Sequence, residues 1–129
     1  MTTPRAEVRD TDRSTNLEIR VGDAISVEEM EALLADVAAT IGLAFSRITT
    51  LGAKKYPGNR HWHLKQNPKE KGCLDVTYWP NGPLMWVTMR NYEPDWVRDA
   101  GHRLGPAIER QLKINPPDAA PQRSSRLRE

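Results

Sequence analysis

The sequence predicts an α+β fold, a two-layer sandwich. A mostly antiparallel sheet of four or five strands carries two helices on one face. Three observations predict it. Residues 30–41 place apolar side chains at helical spacing. Residues 60–89 hold three segments that alternate polar and apolar around turn signals. Residues 96–112 return to helical spacing. Alternating strands have one apolar face, so both helices should cover the same side.

At 129 residues the chain is long enough for one domain. Residues 1–15 and 114–129 are poor in large apolar side chains, and the latter begins Ile114-Asn115-Pro116-Pro117. Such segments bury too little to offset ordering entropy, so they read as an N-terminal arm and a C-terminal tail. The folded domain is then expected over 16–113. No apolar run approaches the ~18 residues of a membrane span. The N-terminus lacks the apolar stretch of a signal peptide, which makes the cytoplasm the default. A single Cys excludes a disulfide framework within the chain and a Cys-rich zinc site.

Leu17, Ile19 and Val21 alternate with charged residues and predict a first strand, closed by Gly22-Asp23. Ser26 and Glu29 form a capping box. Met30, Leu33, Leu34, Val37, Ala38 and Ile41 then make one helix face, and Gly42 suits the left-handed residue after it. Ser46–Leu51 is a β-prone stretch, followed by a loop through Tyr56-Pro57-Gly58. Strands are expected at Arg60–Lys65, Cys73–Trp79 and Leu84–Met89. Pro94 opens the last helix, where its missing N–H costs nothing. Gly105-Pro106 predicts a kink or two short helices end to end. The order is β-α-β-β-β(-β)-α.

Hairpin pairing sets the register. Leu64 opposite Leu74, Trp62 opposite Val76, Tyr78 opposite Met85 and Val76 opposite Val87 put the apolar residues on one face. A slip of one residue would bury His61 and His63 instead, so the pattern specifies the pairing. Trp62 belongs to the core, and Trp96 to packing at the sheet edge. The opposite face collects His61, His63, Lys65, Cys73, Asp75, Thr77, Trp79, Leu84, Trp86, Thr88 and Arg90. No element is left over to cover it.

Charge is segregated along the chain. Residues 16–46 carry a net −5, residues 47–71 a net +6, and residues 72–112 a net −1. Trp79 and Trp86 as stacking platforms beside Lys54, Lys55, Arg60, Lys65, Lys69, Lys71 and Arg90 suit a single-stranded nucleic acid. His61 and His63 lie on the same surface. The plain alternative is a solvated face on which Lys stems cover apolar surface. The acidic first helix, with Glu28, Glu29, Glu31 and Asp36, reads as solvated. RRM domains use such a sheet face, but the element order differs and their aromatic motif is absent. The α-β-β-β-α core of double-stranded-RNA modules overlaps this order, yet Asp95 and Asp99 stand where a basic motif is needed.

The competing reading is a protein-interaction or homodimerisation surface centred on Trp79 and Trp86, since Trp is enriched at interface hot spots. A third is a metal site: His61-x-His63 places two imidazoles on one side of a strand, with Asp75 opposite His63 and Cys73 one pair further. Cys73 beside a His is a weak nucleophile candidate, and no catalytic loop or motif supports it. The expectation is a binding module without enzyme activity or cofactor.

Overall fold

Seven elements succeed one another: β1 (Ser14–Ile19), α1 (Val27–Thr40), β2 (Ala44–Thr49), β3 (Arg60–Lys65), β4 (Leu74–Trp79), β5 (Leu84–Arg90) and α2 (Asp95–Ile114). They are seen in a computed structural model that describes residues 14–52 and 54–114. The five strands form one antiparallel sheet in the order β1-β5-β4-β3-β2. Expectations for the arm and the tail lie outside the described residues, except that Ser14 and Thr15 begin β1 and Ile114 ends α2. No helix among the described residues is long and apolar enough to cross a membrane.

Local chemistry accounts for α1. The Ser26 hydroxyl accepts from Glu29 N–H at 3.0 Å, and the Glu29 carboxylate accepts from Ser26 N–H at 3.0 Å. Two of the helix's orphan donors are thereby satisfied. At the other end Gly42 takes φ 81, Gly42 N–H reaches Ala39 C=O, and Leu43 N–H reaches Ala38 C=O. This paired closure needs a left-handed residue, which glycine supplies without a Cβ clash.

Side-chain parity makes the core. Trp62, Leu64, Leu74, Val76, Tyr78, Met85, Val87 and Ile19 are each at most 1% exposed. They meet Met30 and Leu34 of α1, and Val97, Leu104 and Ile108 of α2, all fully buried. The pairings Leu64↔Leu74, Trp62↔Val76, Tyr78↔Met85 and Val76↔Val87 are those the hydrophobic pattern dictated. The Tyr78 hydroxyl accepts from Ile25 N–H and donates to Ile25 C=O, tying the β1–α1 connection to the sheet.

Four details differ from the sequence reading. β1 starts earlier, pairing Ser14↔Arg90 through Ile19↔Met85, and stops before Arg20. Arg20 N–H leaves the ladder and donates to the Glu109 carboxylate at 2.8 Å. β2 lies two residues earlier than its β-prone stretch. Phe45 stacks on Trp62 at 6.4 Å, and a bulge at Ser46 lets both Phe45 and Arg47 find partners on β3. α2 runs without a break through Pro106. The residue before it is Gly105, which has no Cβ to crowd the proline ring. Finally, Glu31 is not simply solvated. It accepts from the Trp62 indole at 2.9 Å and from Arg60 at 3.0 Å.

Candidate functional site

Alternation along the strands builds the face opposite the helices. The cross-strand pairs Glu18↔Trp86, Thr77↔Trp86, His61↔Thr77 and Thr49↔His61 set one row across all five strands. The next row runs Asn16, Thr88, Asp75, His63, Arg47. The expected surface residues therefore do come together. The face is nevertheless not open. His61 is 6%, Asp75 2% and Thr77 0% exposed.

The β2–β3 connection closes one end of it. Asn59 is buried and acts as a clamp. Its side chain accepts from Leu51 N–H at 2.9 Å and donates to Leu51 C=O and Tyr56 C=O. That geometry turns Tyr56 inward. Its ring lies 5.3 Å from Trp79, edge-on, and 5.3 Å from Trp86, tilted. Pro57 C=O accepts from the Trp79 indole at 3.0 Å. Trp79 and Trp86 are the diagonal neighbours the register predicted, but Tyr56 bridges them and leaves both half-buried. A cleft of about 310 Å³ remains beside the trio, lined by Asn16, Glu18, Tyr56, Leu84, Met85 and Trp86.

Asp75 is the centre of the polar cluster. Its Oδ1 lies 3.0 Å from His63 Nδ1 and accepts from the Cys73 thiol at 3.3 Å. Its Oδ2 accepts from Arg90 at 2.6 Å and faces His61 Nε2 at 3.5 Å. Burial alone would raise the Asp75 carboxyl. The His61 ring, the Arg90 guanidinium and the Cys73 thiol outweigh it and hold the carboxyl well below the usual carboxylate range. Burial and the neighbouring carboxylate push the Cys73 thiol up to about 12. Burial lowers His63, with Asp75 pulling the other way and His61 and Arg47 reinforcing the fall. The outward nitrogens are also held: His61 Nδ1 lies 2.6 Å from Thr77 Oγ1, and His63 Nε2 lies 3.4 Å from Thr49 Oγ1.

Nucleophilic catalysis by Cys73 does not fit this geometry. Cys73 Sγ and Asp75 Oδ1 both address the same ring nitrogen, His63 Nδ1, at 3.6 and 3.0 Å. A relay needs the nucleophile and the orienting acid on opposite nitrogens. A thiol pushed up to about 12 is also not a thiolate near neutrality.

Two expected cations are committed elsewhere. Arg60 shares the parity of Trp62 and turns toward α1, where it pairs with Glu31 at 3.0 Å and Glu28 at 3.7 Å. Arg90 is bound to Asp75. In contrast, Lys54, Lys55, Lys69 and Lys71 are exposed, Lys65 is half-buried, and none pairs with a described carboxylate. Lys55 stands over the Tyr56 ring at 5.6 Å. Arg47 joins them on β2, opposite His63.

Sequence reasoning missed Tyr56, Asn59, Thr49 and Arg47 as members of this face. The Tyr56-Pro57-Gly58-Asn59 turn signal was visible, but not the direction in which the loop folds. Trp96 packs over the β3–β4 connection, donating to Lys71 C=O at 2.9 Å. His102 is exposed on α2, which packs on the opposite side of the sheet. The chain matches no protein-family model, no curated protein and no solved structure.

Proposed function

We propose that the chain is a nucleic-acid-binding module that lays a single strand across the outer sheet face, from the basic β2–β3 side to the cleft beside β1 and β5. One observation carries the reading: Arg47, Lys54, Lys55, Lys65, Lys69 and Lys71 pair with no described carboxylate, and Lys55 stands over the Tyr56 ring of the aromatic trio. Unpaired cations gain most from phosphate, because no existing ion pair has to be broken first. Tyr56 fills the gap between Trp79 and Trp86, so a base does not intercalate there. It stacks instead on the open side of Tyr56 and Trp86, at the cleft where Asn16 and Glu18 supply polar atoms. Arg60 and Arg90 take no part, being held by Glu31 and Asp75.

The test is oligonucleotide binding by fluorescence anisotropy. Lys54→Ala with Lys55→Ala should weaken it, and Trp86→Ala should weaken it by about tenfold, the size of one lost stacking contact. Binding unchanged in both variants overturns the reading.

A second reading is a protein partner or a second copy of this chain. It is favoured by β2, which pairs on one side only and leaves Ile48 45% exposed. Light scattering decides the homodimer: a mass near twice 14.6 kDa supports it, and a monomer at high concentration removes it.

A further inference from the structure

We infer that Cys73, His63, Asp75 and His61 form a binding site for a divalent transition metal, zinc being the ion its donors suit best. This is independent of nucleic-acid binding, since none of the four residues is a cation of the basic side.

Three donor atoms already form a tripod. Cys73 Sγ lies 3.6 Å from His63 Nδ1 and 3.3 Å from Asp75 Oδ1, and those two lie 3.0 Å apart. Bond lengths of about 2.3 Å to sulfur and about 2.0–2.2 Å to nitrogen and oxygen make the edges of a tetrahedral zinc site roughly 3.2–3.6 Å. The triangle matches those edges to within a few tenths of an ångström. His61 stands against the other side of the same carboxylate, with Nε2 3.5 Å from Oδ2, and becomes the fourth donor only when its ring or the carboxylate turns toward the tripod. Donor atoms of His61, His63 and Asp75 all lie within 4.8 Å of one another. Mixed sulfur, imidazole and carboxylate donors favour zinc over magnesium or calcium, which take oxygen.

The atoms that do not face the ion are each held by a partner. Thr77 Oγ1 meets His61 Nδ1, Thr49 Oγ1 meets His63 Nε2, and Arg90 binds Asp75 Oδ2. Metal sites fix their ligands through such outer contacts. A hydroxyl both donates and accepts, so each threonine can serve either imidazole tautomer. Without metal the inward nitrogens can donate to Asp75. With metal the protons move to the outward nitrogens and the threonines accept them. The Cys73 proton leaves to solvent as the thiolate binds. The ion's double charge is met by that thiolate and the carboxylate, and Arg90 sits on the oxygen turned away from the tripod.

The full chain, stripped of metal with a chelator, is titrated with Co²⁺ and then Zn²⁺. One equivalent of Co²⁺ should give the visible bands of a tetrahedral ion and a near-ultraviolet sulfur-to-cobalt band, both displaced by Zn²⁺. Cys73→Ser should remove the near-ultraviolet band. His63→Ala should lower zinc affinity by more than the roughly tenfold loss expected of Thr49→Val. His102→Ala should change nothing. Circular dichroism verifies that each variant is folded. The untouched chain showing neither band overturns the proposal without any variant. So does a sulfur band that survives in Cys73→Ser, or unaltered zinc affinity in folded His63→Ala.

Discussion

His63 and Asp75 stand directly opposite each other on β3 and β4, with Nδ1 3.0 Å from Oδ1. The pair lies in the middle of the sheet face that carries no helix. Around it the face divides into a buried polar cluster, an aromatic end under Tyr56, and a basic side along β2 and its flanking loops.

The Asp75 carboxylate should be essential to stability. It is 2% exposed and neutralises Arg90, so Asp75→Ala strands a half-buried guanidinium. Breaking such a pair from one side should cost about 3 kcal/mol. Urea unfolding checks this, and an unchanged midpoint contradicts it.

Glu31 should shape the acid limb of stability. The Trp62 indole N–H lowers its carboxyl, burial opposes, and Arg60 adds to the lowering. A carboxyl lowered in the folded state stabilises above its ordinary value, about 4.3, and loses that contribution as pH falls through the folded value. Thermal midpoints of the natural chain and Glu31→Gln should therefore differ near neutrality and converge as pH falls below the ordinary carboxylate range. Parallel curves would contradict the Glu31–Trp62 linkage.

Gly72 should tolerate no side chain. It takes φ +108, and an added Cβ would lie 2.8 Å from the Trp96 indole nitrogen. Gly58 also has positive φ, but open space around it. Gly72→Ala, which adds a clash to the backbone cost, should lose about 2–3 kcal/mol. Gly58→Ala should lose about 1 kcal/mol, the backbone cost alone. Equal losses would mean Trp96 does not pack against this turn.

The aromatic end should open when its cover is removed. In Tyr56→Ala, Trp79 and Trp86 lose their bridging ring, and acrylamide quenching of tryptophan fluorescence should rise. Asn59→Ala should act in the same direction, because the hydrogen bonds that turn Tyr56 inward are gone. Quenching unchanged in both would contradict the loop's role.

Much of this was legible in the residues. The alternation of Trp62, Leu64, Leu74, Val76 and Tyr78 admits one register, since a slip buries His61 and His63 beside the helices. The same parity places Arg60 with Trp62, so its turn toward α1 could have been read. Ser26 and Glu29 define their cap within four residues. What did not show in the sequence was long-range. Tyr56 reaches Trp86 across thirty positions, and nothing local says that the loop folds back rather than outward. The place of β1 was equally hidden, because it pairs with β5, some seventy positions further along the chain. Phe45 drew β2 earlier than its β-branched residues suggested, through a contact with Trp62.

In the proposed function the unpaired cations of β2, β3 and their loops bind phosphate. The most direct measurement is the affinity of the full chain for a single-stranded oligonucleotide as salt is raised. Log affinity should fall linearly with log salt, losing about 0.7 in slope for each phosphate neutralised. Lys54→Ala with Lys55→Ala should make that slope shallower by about 1.4. An affinity indifferent to salt, or a slope unmoved by the double variant, would contradict it.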